Sequence, residues 1–170
     1  NVTVKKGSSH DTVPLCHAPS KLLRTPASLI MGPFGLAGQL ASSVIGVLAQ
    51  RLIRVLCLDC REPHLPTPLE IEQLGLRSTD PRLKTATFFS AKGCTQCGMT
   101  GYSGRSGLHE LMVPDEEVKR LVVQKSDAGL IKKAAVKAGM KTLLEDGAVK
   151  AMEGMTTVEE VVRIATAAVD

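Results

Sequence analysis

"KGCTQCGMTGYSGRSGLHEL", Lys92–Leu111, sets two cysteines three positions apart at the head of a glycine-rich run, in a chain with no tryptophan and one tyrosine. The pair has a counterpart upstream. "CLDC" places Cys57 and Cys60 there, so four of the five cysteines form two C-x-x-C pairs separated by 33 residues, 61–93. A C-x-x-C turn brings two sulfurs within reach of one ion, and tetrahedral zinc takes four such ligands at about 2.3 Å. Cys57 and Cys60 held against Cys94 and Cys97 would make one closed site, structural rather than catalytic because no position is left for water. Arg54, Arg61 and Lys92 add positive charge nearby, which favours the thiolate forms.

Other uses of the pairs fit less well. A redox C-x-x-C opens a helix after a strand in a βαβ setting, which neither "VLCLDCRE" nor "KGCTQCGM" provides. A disulfide framework needs an oxidising compartment, and "NVTVKKGSSHD" is polar where the apolar part of a signal peptide would follow the lysines. The C-x-x-C-x-G-x-G spacing of J-domain chaperones is not matched by the Gly-Met-Thr-Gly after Cys97. Cys16, beside His17, reads as a plain reduced thiol. His10, His17, His64 and His109 show no helical i, i+4 pairing and read as surface or locally bonded side chains.

Among the 170 residues, 44% are hydrophobic and 22% charged, which is globular, but aromatics are only 2%. The core must therefore be aliphatic, and a metal cross-link would replace part of what rings supply elsewhere. The net charge of +4 comes from interspersed charges with no dense basic block, so nucleic acid is not an expected partner. The first residue, Asn1, suggests a fragment. Thr25–Gln50 is uncharged between Arg24 and Arg51, the framing of a membrane span. Gly32-Pro33 would break such a helix, and Gln39, Ser42 and Ser43 are polar, so a buried helix beginning near Gln39 is the better reading.

Residues 1–38 show no sustained period. "LASSVIGVLAQRLIRVL", Leu40–Leu56, is apolar nearly all round with Ser43, Gln50 and Arg54 in a narrow stripe, which predicts a buried helix ending at Cys57. Four prolines, at 63, 66, 68 and 81, mark residues 61–91 as a connector that wanders and returns around a short helical patch, "PLEIEQLGL". Tyr102–Val113 predicts a glycine turn entering a strand, with Arg105 and Glu110 as an opposite-charge pair fixing a hairpin. Short helices follow. One is opened by Pro114-Asp115, a second runs from about Asp127 to Ala138 and stops at Gly139, and the third and fourth start with Thr142/Glu145 and Thr157/Glu160 capping boxes. "LLEDG", Leu143–Gly147, reads as the acidic first turn of the third.

"MGPFGLAGQLAS" is superficially a nucleotide loop but lacks the Gly-Lys-Ser/Thr of a P-loop, and no acidic residue follows a hydrophobic strand to hold Mg²⁺. The chain's own residues therefore give no basis for ATP hydrolysis.

In order, "LASSVIGVLAQRLIRVLCLDC", "GCTQCGMTGYSGRSGLHEL" and "GMKTLLEDGAVKAMEGMTTVEEVVRIA" resemble the C-terminal end of the type II secretion and type IV pilus assembly ATPases, from Gln39 to Ala165. The resemblance implies an α-rich α+β fold. Its parts would be the end of a RecA-like P-loop motor domain, a tetracysteine zinc subdomain with a small β-hairpin, and a C-terminal bundle of short helices. On this chain those parts fall at 39–56, 57–113 and 114–170, after a divergent or poorly ordered segment at 1–38. Cys57, Cys60, Cys94 and Cys97 are implied as ligands of structural Zn²⁺. The intact parent is implied to be a hexamer in the cytoplasm, peripheral at the inner membrane, using ATP and Mg²⁺ to drive pseudopilus or pilus assembly with membrane platform proteins. The family's Walker A loop, acidic boxes, histidine box and arginine fingers lie upstream of these motifs, so none is carried over and the chain is expected to be inactive alone. The alternative is a free-standing zinc-knuckle adaptor that binds protein or nucleic acid.

Overall fold

Side-chain oxygens open five of the helices, the last in the chain through Thr157, whose Oγ1 accepts the Glu160 N–H at 3.2 Å. Thr67 caps α2 (Pro68–Gln73) and Thr142 caps α5 (Leu143–Met152), each in a full capping box with the glutamate three positions on, Glu70 and Glu145. Asp115 caps α3 (Glu116–Val123) through Val118 N–H, and Asp127 caps α4 (Ala128–Lys137) through Gly129 N–H. Gly139 and Gly154, at φ +103° and +69°, follow α4 and α5 in the left-handed region that ends a helix. The starts at Asp115, Asp127 and Thr142 and the stop at Gly139 fall where the sequence puts them.

The computed structural model describes Val2–Lys6 and residues 36–166. The rest of the 1–38 segment, with Cys16, His10 and His17, lies outside the described residues. The remaining elements are β1 (Val2–Lys6), α1 (Leu36–Ser43), β2 (Val44–Leu56), β3 (Arg61–His64), β4 (Phe88–Ala91), β5 (Tyr102–Met112) and α6 (Val158–Thr166). Strand order is β1-β2-β5 in one sheet and β3-β4 in a second. Among the described residues no helix is long and apolar enough to cross a membrane.

The expected Leu40–Leu56 helix is corrected. The helix ends at Ser43, and Val44–Leu56 is a strand. Val44, Ile45, Val47, Ile53 and Val55 are β-branched and favour the pleated backbone, and a run apolar on both faces cannot be assigned to helix or strand by periodicity alone.

Two compact units divide the chain, one of residues 1–49 and 110–141 and the other of 50–109 and 142–170. In the first, β1 pairs antiparallel with β2 from Val2↔Ala49 to Lys6↔Val44, with a register shift at Lys5/Lys6. There α3 packs on both α1 and α4, with Val118 and Ala135 buried.

In the second unit, Leu74, Phe88, Ala148, Ala151, Val158 and Val161 form the larger core cluster. A smaller cluster joins Ile53 and Leu108 to Leu143. Helix α6 crosses α5 closely enough that a Cβ on Gly147 would lie 2.3 Å from Val161 Cγ1. The predicted alternation on β5 is present, with Leu108 fully buried and Leu111 half exposed. Its predicted entry turn is not: the glycines lie within one continuous strand, Gly104 at φ +84°. Arg105 and Glu110 do not form the predicted hairpin clamp. Five positions apart on one strand, they point to opposite faces, and Glu110 Oε2 lies 3.9 Å from Lys132 Nζ.

Candidate metal centre

The connector returns as the prolines suggested. β3 and β4 pair antiparallel from Arg61↔Ala91 to His64↔Phe88, which puts the ends of the excursion side by side immediately beyond one cysteine pair and ahead of the other. Pro68 and Pro81 occupy first positions of helical turns along the way, where their missing N–H costs no bond.

Each C-x-x-C folds into a turn. Cys60 and Arg61 N–H donate to Cys57 C=O at 3.4 and 3.0 Å, and Met99 N–H donates to Cys94 C=O at 2.8 Å. The second turn closes against backbone on both sides. A Cβ on Gly93 (φ +100°) would meet Met99 O at 2.6 Å, and one on Gly101 (φ +76°) would meet Ala91 Cβ at 2.6 Å. Glycine is required at both places. Cys57 N–H donates to Gly101 C=O at 2.9 Å and ties the two turns together.

The four predicted ligands come together. Their sulfurs lie within 4.8 Å of one another: Cys57 to Cys94 is 3.9 Å, Cys60 to Cys97 is 3.8 Å and Cys94 to Cys97 is 3.7 Å. All four are free thiols, well beyond the roughly 2.05 Å of a disulfide. Sulfurs about 2.3 Å from a central tetrahedral ion stand about 3.8 Å apart, so the cage has the size of a four-thiolate site. The four cysteines are positioned to bind a metal ion.

The thiols are not equivalent. Cys94 N–H donates to Cys97 Sγ at 3.2 Å, and against the cost of burial this bond and the Gly101 N–H, also at 3.2 Å, bring the Cys97 thiol down to about 6. Burial pushes Cys60 up to about 12. Cys57 is also raised: an N–H from Asp59 favours its thiolate, but burial and the Cys94 thiol outweigh it. A bound cation is what would bring such a set to the thiolate form together.

The cations expected to serve the cage are mostly engaged elsewhere. Arg61 lies over the Phe89 ring at 4.3 Å and donates to Gly154 C=O at 2.6 Å. Lys92 pairs with Glu62 and is also under the influence of Cys60. Arg54 lies over Tyr102 at 4.0 Å and pairs with Glu160. The histidine reading holds for the described pair: His64 Nε2 lies 2.9 Å from Glu70 Oε1, and His109 is exposed, its backbone N–H donating to Asp146 Oδ2 at 2.9 Å.

Glu160 is the residue that sequence reasoning misplaced. Thr157 Oγ1 does accept the Glu160 N–H at 3.2 Å, but the Glu160 carboxylate does not reach back to complete a capping box. Its side chain, 1% exposed, instead accepts Arg54 N–H at 3.1 Å, Arg54 Nη2 at 2.8 Å and the Arg163 guanidinium at 2.7 Å. Nothing in a linear pattern marks a partner 106 positions away.

A family model described as type II/IV secretion system protein matches residues 17–163. The chain belongs to the type II/IV secretion system protein family. Its similarity to curated members is consistent across two systems. It is 43% identical over 122 residues to the type IV pilus assembly ATPase PilB of Thermus thermophilus, covering 72% of this chain and 14% of that protein. It is 41% identical over 125 residues to type II secretion system protein E of Pseudomonas aeruginosa, covering 74% and 24%. With the type II secretion system ATPase E of Vibrio cholerae the figures are 34% over 125 residues, 74% and 24%. This secretion-family chain thus spans under a quarter of the length of these relatives.

Proposed function

We propose that this chain is the zinc-binding and helical C-terminal portion of a type II secretion or type IV pilus assembly motor ATPase, with a structural and coupling role. The observation that carries the metal reading is the cage of Cys57, Cys60, Cys94 and Cys97, whose sulfurs all lie within 4.8 Å of one another, three of the edges at 3.7–3.9 Å, which suits four thiolates around one tetrahedral Zn²⁺. Bound there, zinc would supply a cross-link and no chemistry, since four protein ligands leave no open position. The chain's own residues prepare the site. Gly93 and Gly101 allow the second turn to close, Cys94 and Gly101 N–H groups support the Cys97 thiolate, and the Cys57 N–H joins the two turns.

The end of the RecA-like motor and the zinc subdomain are the finer parts of this reading, supported by family membership and motif order. In the intact protein the engine lies elsewhere in the chain, binding ATP and Mg²⁺ in a cytoplasmic hexamer that meets platform proteins at the inner membrane. This portion acts as a lever, whose metal-fixed loop pair transmits the motion of the adjoining nucleotide domain.

The first test is zinc content per chain on protein purified without added metal, with thiols titrated before and after chelation. About one zinc, with four thiols protected until it is removed, is the expected result. No zinc and freely reactive thiols would overturn the metal reading. For the coupling role, Cys94→Ser in the intact parent is expected to lower zinc content, assembly and ATPase activity, and the idea fails if all three are unchanged.

A further inference from the structure

The strand that delivers Cys57 to the cage is held from the far end of the chain. Arg54 N–H donates to Glu160 Oε1 at 3.1 Å, Thr156 Oγ1 donates to Arg54 C=O at 2.8 Å, and Leu56 N–H donates to Met155 C=O at 2.9 Å. Three backbone bonds of the β2 end, two at Arg54 and one at Leu56, are thus made to Met155, Thr156 and Glu160 rather than to another strand. The next N–H along, that of Cys57, goes to Gly101 C=O, and Gly101 N–H goes to Cys97 Sγ at 3.2 Å. Hydrogen bonds together with the backbone from Arg54 to Cys57 therefore join the Glu160 carboxylate to a ligand of each cysteine turn. Tyr102, next to Gly101, reinforces it, since its hydroxyl lies 2.9 Å from Thr157 Oγ1 and its ring lies under the Arg54 guanidinium.

We infer that Glu160 is a positioning residue for the metal site, and that seating of the first turn of α6 on β2 sets the affinity of the four cysteines for their ion. This rests on the metal reading above. Glu160 touches no sulfur. It fixes the backbone of Arg54, and through that strand end the direction in which Cys57 enters the cage. Outer-shell partners that orient metal ligands contribute tenfold to a hundredfold in affinity, and a partner acting through the backbone belongs at the lower end. The relation is reciprocal: metal binding must strengthen the docking of α6 by the same factor.

The test measures Zn²⁺ affinity of the 170-residue chain by competition with a chromophoric chelator, and the absorption spectrum of the Co²⁺-loaded form, for wild type, E160Q, T156V and V161A. V161A removes core volume beside Glu160 without touching its hydrogen bonds, and serves as the control for general loss of stability. The expected result is an affinity about tenfold weaker in E160Q and several-fold weaker in T156V, with a shifted Co²⁺ spectrum, and less change in V161A at equal loss of thermal stability. Wild-type affinity and spectrum in both E160Q and T156V would overturn the inference, as would losses that only track stability across all three variants. Should E160Q fail to fold, T156V decides by the same criteria. A wild-type chain that binds no metal defeats the metal reading itself and this inference with it, a result distinct from tight binding that is indifferent to Glu160.

Discussion

Glu160 accepts the Arg54 backbone N–H with one carboxylate oxygen and the Arg54 guanidinium with the other, across 106 positions of sequence. Burial alone would raise a carboxyl's pKa, but Arg54 and Arg163 more than offset it and hold Glu160 at about 2, against an ordinary value of 4.5. A depressed folded pKa contributes stability that is complete above the unfolded value and lost as pH falls through the folded one. The urea midpoint of the wild type is therefore expected to fall between about pH 4.5 and 2 more steeply than that of E160Q. Both proteins are compared free of metal, so that acid release of an ion from the cysteines does not enter the comparison. Parallel curves would contradict the assignment.

Gly101→Ala is expected to cost both metal content and stability, because the new Cβ would stand 2.6 Å from Ala91 Cβ at a backbone φ of +76°. Gly98→Ala is the informative partner. It shares a left-handed backbone, at φ +61°, but its Cβ meets nothing within 4 Å, so it carries only the conformational cost of about 1 kcal/mol. Zinc per chain should drop in the first variant and be retained in the second.

Gly147→Ala should destabilise the second unit by about 1–3 kcal/mol in urea unfolding, since its Cβ would sit 2.3 Å from Val161 Cγ1 where α5 meets α6. Adding Val161→Ala to that variant should recover part of the loss. Additive losses would show that the two positions do not meet.

Thr142→Ala removes the side chain that accepts the Glu145 N–H at 3.2 Å and should lower stability by about 1 kcal/mol. Zinc content should be unaffected. A change in metal content without a change in melting temperature would contradict the purely local role.

The site was more legible than the fold around it. Cysteine spacing reports ligand geometry directly, because a C-x-x-C turn fixes two sulfurs whatever surrounds it, and all four predicted ligands meet. Helix ends were legible for a similar reason, since Thr142 and Glu145 act within one turn. β2 was misread because its sequence is apolar at positions on both faces and so shows no period of two, although Ile45 and Leu52 are more than half exposed, and the Ser43, Gln50 and Arg54 stripe matched a helical spacing by coincidence. Glu160 was placed on the right helix and given the wrong partner. A capping box is a local contest for one carboxylate, and here two arginines, one of them distant in sequence, win it.

The paired ends of the 61–93 excursion have a consequence for how such proteins vary. Arg61 stands opposite Ala91, and the cysteine turns meet just outside them, so the ends stay together whatever lies between. Closing a loop costs free energy only as the logarithm of its length, about 0.6 kcal/mol for each doubling. Insertions and deletions between Leu65 and Ala86 that spare the Leu74 and Phe88 packing should therefore leave the cage standing. The stretch is a place where the chain can grow or shrink, and acquire new surface, without renegotiating the fold that carries it.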